Sequence, residues 1–142
     1  MSKSRFVLDN SVKHLKGLFP QGSAKTITEC GLKEGADDIA VIDLCYKRDA
    51  MLVTTDLGIQ QKCRQYQATK NDCLSGLLIL PDGAEQQKRV LKDIQTGRKA
   101  FHHSHYKAKV SWLQLRHANL VINTRVPGQP SVQELCDCKW ED

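Results

Sequence analysis

The chain of 142 residues has the length of one domain, and its composition, 40% hydrophobic and 26% charged, is ordinary for a globular protein. No apolar run approaches the roughly 18 residues of a membrane span. The only apolar stretch before Asp9 is Phe6, Val7 and Leu8, which is too short for the apolar core of a signal peptide, so we expect a cytoplasmic protein. The net charge of the chain is +5.

The first part of the chain alternates between predicted strands and helices. Residues 5–9 are predicted to form a short buried strand, and residues 12–19 a helix that Pro20 ends. A weaker strand is predicted at 25–28, and after the loop 31–35 Asp37 or Asp38 is expected to cap a second helix. The apolar faces predicted for the two helices consist of Val12, Leu15, Leu18 and Phe19, and of Ile39, Ile42, Cys45 and Tyr46.

The second part continues the alternation with clearer apolar runs. Strands are predicted at 50–55, directly before Asp56, and at 76–80, before a Pro-Asp-Gly turn. Helices are predicted at about 59–66 and 84–99. Residues 110–115 and 120–124 are predicted to form a terminal hairpin, and residues 127–142 a C-terminal tail without assigned structure.

Strands without polar alternation, separated by helices, are typical of a parallel sheet that is covered on both faces. We therefore predict an α/β fold, a three-layer sandwich with a mainly parallel central sheet plus a C-terminal hairpin. The domain is predicted to span residues 1–126, followed by the tail.

Three aspartates are placed where such folds carry their sites. Ligands of open parallel sheets bind beyond the carboxyl ends of the strands. Asp9 and Asp56 each follow a predicted strand, and Asp38, at the start of the intervening helix, can face the same edge. Three neighbouring carboxylates need a compensating cation, and hard oxygen ligands suit Mg²⁺ or Mn²⁺. The alternative is structural, because aspartates in these places often start turns or cap helices, and for Asp38 alone capping is the commoner role.

Several segments resemble PIN-domain nucleases. The chain has Asp38-Ile-Ala-Val-Ile-Asp-Leu-Cys45, an acid that opens a helix with a small residue seven positions on, and Ala50-Met-Leu-Val-Thr-Thr-Asp56, a strand that ends in an LVTxD pattern. Phe6-Val-Leu-Asp9 resembles the first strand of that family. The short spacing from Asp9 to Asp38 is similar to the shortened PIN-like group of the Mut7-C and toxin types. The resemblance covers about residues 5–83 and, loosely, 110–124.

The resemblance implies a metal-dependent endoribonuclease that hydrolyses RNA phosphodiester bonds with Mg²⁺ or Mn²⁺. It implies that Asp9, Asp38 and Asp56 are the catalytic residues and metal ligands. PIN enzymes usually add a further acid, for which Glu29 is the first choice and Asp37 the second. Residues expected to contact a ligand or the substrate are Asn10, Asp37 and Thr55. The toxin-type members also suggest an antitoxin protein and a second copy of the chain as partners.

The net charge is concentrated in one stretch. Residues 86–116 contain eight basic side chains and a single acid, Asp93. A basic surface attracts polyanions by counterion release, whereas a solvated helix face would explain the same composition. The predicted RNA-binding residues are Lys88, Arg89, Lys92, Arg98 and Lys99. The nearby His102, His103 and His105 are interpreted as a basic loop; alternatively, His103 and His105 are transition-metal ligands.

The six cysteines include no CxxC pair, so no zinc ribbon or thioredoxin-type motif is indicated. Cys136 and Cys138 alone are a weak metal signal. The remaining four are spread through predicted core elements, where a free thiol packs as a small hydrophobe: Cys30, Cys45, Cys63 and Cys73.

Two other functions remain open from the sequence. A PIN-like domain that has lost catalysis would serve as a binding module. A phosphoacceptor receiver domain also has acids after its first and third strands, as Asp9 and Asp56 would be. That fold needs a threonine or serine at the end of its fourth strand, where this chain has Leu80 and Pro81. It also needs a lysine at the end of its fifth strand, commonly before a proline, and the chain has no Lys-Pro pair.

Overall fold

Strands and helices alternate in the computed structural model, which describes residues 5–96, 119–125 and 131–135. A 3-10 helix, η1, spans Asn10–Leu18, and three α-helices follow: α1 (Asp38–Arg48), α2 (Ile59–Lys70) and α3 (Ala84–Thr96). The strands are β1 (Phe6–Leu8), β2 (Ala24–Thr26), β3 (Met51–Thr54), β4 (Gly76–Ile79), β5 (Leu120–Asn123) and β6 (Ser131–Glu134). Within these residues no helix is both long and apolar enough to cross a membrane.

The strands form one sheet in the order β2-β1-β3-β4-β5-β6. Strands β1 to β5 are parallel to their neighbours, and β6 runs antiparallel to β5 at the edge. The predicted α/β fold with a mainly parallel sheet is therefore confirmed. Strands β1, β3 and β4 are buried along their whole length, which explains why their sequences lack polar alternation.

Apolar side chains form a separate core on each face of the sheet, because successive strand residues point to opposite sides. Phe6 and Leu8 of β1 pack with η1 and α3, while Val7 packs with α1 and α2. The helical partners are Val12, Leu15, Leu91 and Ile94 in the first core, and Val41, Ile42, Cys45, Ile59 and Cys63 in the second.

The chain reverses its direction of travel across the sheet between β1 and β3. From β1 the chain passes through η1 to β2 on one side, and from β2 it passes through α1 to β3 on the other side of β1. At such a switch point the connections diverge and leave a crevice beyond the carboxyl ends of the two strands. Asp9 follows β1 at this point, and Asp56 lies two residues after the end of β3.

The predicted helix faces need two corrections. Leu18, the last residue of η1, is 42% exposed, although Val12, Leu15 and Phe19 are buried as predicted. Ile39 is 52% exposed. With 3.6 residues per turn, Ile39 lies about 110° from the centre of the buried face of α1, which Val41, Ile42 and Cys45 form.

The predicted C-terminal hairpin has a different partner strand in the structure. β5 pairs with β4 on one side and antiparallel with β6 on the other, whereas residues 110–115 lie outside the described residues. β6 belongs to the segment predicted to be a tail. By pairing with β5 it satisfies backbone groups that would otherwise form an open sheet edge. The buried Leu135 then fixes the strand, since its carbonyl accepts hydrogen bonds from Arg64 and Gln67.

The cysteines only partly follow the prediction. Cys45 and Cys63 are buried free thiols, and burial raises the pKa of Cys63 to about 12. Cys30 is free and partly exposed. Cys73 is disulfide-bonded, so it is not the free core thiol that the sequence suggested. Cys136 and Cys138 lie outside the described residues.

Candidate active site at the carboxyl edge of the sheet

A buried threonine links two of the predicted site residues at the switch point. Thr54, the last residue of β3, is 0% exposed. Its hydroxyl donates a hydrogen bond to Asp9 Oδ2 at 3.0 Å and accepts one from the Asp56 backbone N–H at 3.2 Å. The β1–β3 pairing reaches the same point, because the Asp9 N–H donates to the Val53 carbonyl at 3.0 Å. Asp9 and the backbone of Asp56 are therefore connected through one side chain.

Both aspartates also have local structural roles. Asp9 is the N-cap of η1, where Oδ1 accepts from the Asn10 N–H at 2.8 Å and Oδ2 from the Ser11 hydroxyl at 3.2 Å. Asp56 Oδ1 accepts from the Gly58 N–H at 2.8 Å and starts the turn into α2. An ionised carboxylate offers about four lone-pair sites, so these bonds leave each side chain with acceptor capacity.

Asp37, not Asp38, caps α1. Asp37 Oδ1 accepts a hydrogen bond from the Ala40 N–H at 2.8 Å, which is the usual N-cap contact. Asp38 is the first residue of the helix, and its Oδ2 lies 2.6 Å from the ammonium nitrogen of Lys62. The capping role that competed with a site role for Asp38 thus belongs to its neighbour.

Glu29, the first choice for a fourth acid, is held at the end of β2. Its Oε2 lies 2.6 Å from Lys16 Nζ, and its Oε1 accepts from the backbone N–H and the hydroxyl of Thr26 at 3.0 and 3.2 Å. The Lys16 hydrogen bond and the Thr26 N–H lower the pKa of Glu29 to about 2. Both oxygens have partners, so a ligand role for Glu29 stays a prediction without geometric support.

Glu29→Gln should reduce stability in a pH-dependent way. Because the folded-state pKa of Glu29 is depressed, its contribution is fully present above the usual value of 4.5 and is lost as the pH falls towards 2. The side chain is 40% exposed, so screening limits the loss near pH 7 to about 1 kcal/mol or less. Urea denaturation of both proteins at pH 7 and pH 3 measures this. A stability difference between the two proteins that grows towards pH 3 would contradict the depressed pKa of Glu29. The Mn²⁺ affinity of Glu29→Gln should change less than that of Asp9→Asn.

The two other predicted contact residues behave differently from each other. Asn10 Oδ1 is buried without a hydrogen-bond partner within the described part of the chain. Such an acceptor is costly to leave unsatisfied and is a place where a cation or an ordered water would bind favourably. Thr55 contributes its backbone carbonyl, which accepts from Arg125 Nη1 at 2.6 Å. The hydroxyl that contacts Asp9 is that of Thr54, one residue earlier.

Arg125 connects the ends of three strands. Besides the Thr55 carbonyl, which precedes Asp56, its guanidinium binds the Asp82 carboxylate at 2.8 Å. Residue 125 itself follows β5, so one side chain spans the carboxyl ends of β3, β4 and β5. This contact holds the backbone immediately before Asp56 in place.

The oxygen donors at this edge match a hard divalent cation in kind. The carboxylates of Asp9 and Asp56 and the unsatisfied amide oxygen of Asn10 are ligands that Mg²⁺ and Mn²⁺ prefer. Asp38 is engaged by Lys62. As the side chains stand, no three His, Cys, Asp or Glu residues in the described ranges could hold one ion. An ion shared with Asp38 therefore requires that Asp38 leave Lys62.

The predicted basic face is exposed where the structure describes it. Lys88, Arg89 and Lys92 lie on the outer side of α3, opposite the buried Leu91 and Ile94. This face is tied to the site through η1, because His14 Nε2 lies 3.0 Å from Oε1 of the buried Gln87 of α3. Arg98, Lys99, His102, His103 and His105 lie outside the described residues.

Thr54→Val should weaken metal binding although it preserves the size of the side chain. The valine cannot donate to Asp9 or accept from the Asp56 N–H, and losing a buried partner costs about 1–3 kcal/mol of folding free energy. Thr54→Ser keeps the hydroxyl and should retain Mn²⁺ affinity. Isothermal titration with Mn²⁺ measures both variants. Equal affinity in the valine and serine variants would show that Thr54 does not organise the carboxylates.

Three residues at this edge were not predicted from the sequence to belong to the site. Thr54 and Arg125 lie at or just after strand ends, so the rule that identified Asp9 and Asp56 could have found them. Lys62 has no such signal, because it meets Asp38 from another helix, 24 positions away in the chain.

Comparisons of the chain with family models, with curated proteins and with solved structures find no significant match. A function has to follow from the residues of this chain and from their geometry.

Proposed function

We propose that the chain is a PIN-like endoribonuclease that hydrolyses RNA phosphodiester bonds with Mg²⁺ or Mn²⁺. The observation that carries the proposal is the hydrogen-bonded link from Asp9 through Thr54 to Asp56 at the switch point of a parallel sheet. Ligands of such sheets bind at this point. The proposal includes a three-layer PIN-like sandwich and a cytoplasmic location, both expected from the sequence.

The proposed site would hold one divalent cation through Asp9, Asp56 and, after rearrangement, Asp38. When bound, such an ion supplies Lewis-acid stabilisation and a more acidic water. Thr54 holds Asp9 and the Asp56 backbone in register, so they need not reorganise as charge develops on the phosphate. In hydrolysis the water oxygen bonds to phosphorus, one P–O ester bond breaks, and the leaving oxygen takes up a proton.

The basic face of α3 supports RNA as the substrate class. Lys88 and Arg89 are exposed cations that would contact the phosphate backbone and orient the strand without reading its bases. α3 begins at Ala84, five residues after the end of β4 at Ile79, so its first turn starts at the same sheet edge as Asp56. The His14–Gln87 contact joins this helix to η1, which begins directly after Asp9.

The proposal is tested by incubating the chain with single-stranded RNA in Mn²⁺, in Mg²⁺ and in EDTA. We expect internal cleavage with either metal ion and none in EDTA, and weaker or no cleavage of DNA with the same sequence. Binding of RNA without cleavage under any of these conditions would instead favour the inactive binding module. An antitoxin protein and a second copy of the chain remain proposed partners.

A receiver domain is the second candidate, because the strand order β2-β1-β3-β4-β5 is also the order of that fold. Its phosphoacceptor would be Asp56. The remaining receiver residues do not match, since β4 leads into Leu80 and Pro81, and Arg125 replaces the lysine expected after β5. Acetyl-phosphate labelling separates the candidates: stable phosphorylation of Asp56 would favour the receiver domain over the nuclease.

A further inference from the structure

Lys62 places an ammonium group beside one of the predicted metal ligands, Asp38. Its Nζ lies 2.6 Å from Asp38 Oδ2, and the two side chains are 50% and 35% exposed. Lys62 is the fourth residue of α2, the helix that follows the Asp56 turn, and Asp38 opens α1. The ion pair therefore joins the beginnings of the two helices beside the switch point.

More than one carboxylate acts on this ammonium. The hydrogen bond and charge of Asp38 raise the pKa of Lys62, and the charges of Asp56 and Asp37 raise it further. A single cation thus lies in the field of three carboxylates at this edge. Compensating such carboxylates is the electrostatic task that a divalent ion would perform in the proposed enzyme.

We propose that Lys62 is a displaceable counter-ion that competes with the divalent cation for Asp38. In the structure the ammonium neutralises Asp38. If a divalent ion were held by Asp9, Asp56 and Asp38, Asp38 would have to leave Lys62. A dication and an ammonium beside the same carboxylate repel each other, so the two states exclude one another. The inference rests on the proposed function, because it concerns the same carboxylates.

Release gives Lys62 a second role. A lysine ammonium on a flexible four-carbon stem binds phosphate as a point charge. Once freed from Asp38, the ammonium would be available for an RNA phosphate. Metal binding would then create a phosphate contact that the metal-free protein lacks, so RNA affinity should rise with metal occupancy through Lys62.

The test measures how tightly Mn²⁺ binds to the full chain without RNA. The electron paramagnetic resonance signal of free Mn²⁺ reports the unbound fraction. Lys62→Met should bind Mn²⁺ about three- to tenfold more tightly, because both the competition and the charge repulsion are removed; the range reflects a half-exposed, screened pair. Lys62→Arg keeps the charge and should stay near the wild-type affinity. Lys62→Gln is the second neutral variant if Lys62→Met folds poorly.

Lys47→Met is the matched control. It removes one positive charge and an ion pair of 2.9 Å with Asp43. Lys47 lies nine residues after Asp38 in α1, about 13 Å along the helix axis. Its Mn²⁺ affinity should equal that of the wild type. Tighter Mn²⁺ binding in both methionine variants would show that the effect comes from net charge alone, and this would overturn the inference.

The outcomes separate the inference from the proposed function. If the wild type binds Mn²⁺ and Lys62→Met binds it equally or more weakly, Lys62 does not compete with the metal ion, and the nuclease proposal stays intact. Absence of Mn²⁺ binding in both proteins overturns both. A second readout is RNA affinity in Ca²⁺, which should be several-fold lower in Lys62→Met than in the wild type, with no difference in EDTA. An equal loss in EDTA would contradict release of Lys62 by the metal.

Discussion

We expect Asp56→Asn and Asp9→Asn each to lower metal-dependent RNA cleavage by about 10³-fold or more. Each substitution replaces a charged metal ligand by a neutral amide. Metal-ion stabilisation of the transition state amounts to several kcal/mol, and each 1.36 kcal/mol is a factor of ten in rate. The loss should appear in single-turnover cleavage with Mn²⁺ at saturating RNA, so that a change in RNA binding does not mask it.

The same variants should stay folded. An asparagine at position 56 keeps an oxygen for the Gly58 N–H, and one at position 9 keeps an oxygen for the Asn10 N–H. In Asp56→Asn, less repulsion among the carboxylates should leave the free energy of unfolding in EDTA unchanged or slightly higher. In Asp9→Asn the amide nitrogen cannot accept the hydrogen bond that the buried Thr54 hydroxyl donates to Oδ2, so a loss of about 1–3 kcal/mol is expected. A clear drop in Asp56→Asn would favour the turn role of that aspartate over metal binding.

Asp72→Asn provides the control for this comparison. Asp72 lies between α2 and β4, at the opposite edge of the sheet, and accepts hydrogen bonds from the Tyr46 hydroxyl and the Cys73 N–H. Removing its charge should leave cleavage within about twofold of the wild type. Full activity in Asp56→Asn, or an equal loss in Asp72→Asn, would contradict the proposed site.

Neutralising Lys88, Lys92 and Lys99 together should weaken RNA binding for all sequences alike. Each phosphate contact to a single strand contributes about 0.7 to the slope of log affinity against log salt. The slope should therefore fall by roughly two if all three lysines touch phosphate, and at about 50 mM salt the affinity should fall roughly 10²- to 10³-fold. Lys88 and Lys92 lie on α3, and Lys99 lies outside the described residues.

Fluorescence anisotropy with two unrelated RNA sequences, in Ca²⁺ and at several salt concentrations, measures this effect. The control is a triple variant at Lys25, Lys47 and Lys70, which removes the same charge from β2, α1 and α2. Metal affinity should change little in either protein. An unchanged slope in the α3 variant would mean that its charge is only a solvated face, and an equal change in the control would indicate a general charge effect.

The amino-acid sequence by itself was enough to predict the strands and helices that carry the site. β3 and β4 are recognisable because burial on both faces requires continuous apolar runs, and a parallel sheet requires helices between them. Asp9 and Asp56 follow from the same local reasoning, since each lies just beyond its own strand. These features can be predicted from local burial patterns alone, because they do not depend on which segments meet in space.

Only the tertiary structure decided which side chains meet. Thr54 hydrogen-bonds to Asp9, 45 positions away in the chain, and Lys62 pairs with Asp38, 24 positions away. Such contacts depend on strand register and helix packing, and they leave no periodic pattern in the sequence. The antiparallel pairing of β5 with β6 is a long-range choice of the same kind. Even the choice between adjacent aspartates was structural: Asp37, with extended backbone angles, caps α1, and this leaves the chemically identical Asp38 to meet Lys62.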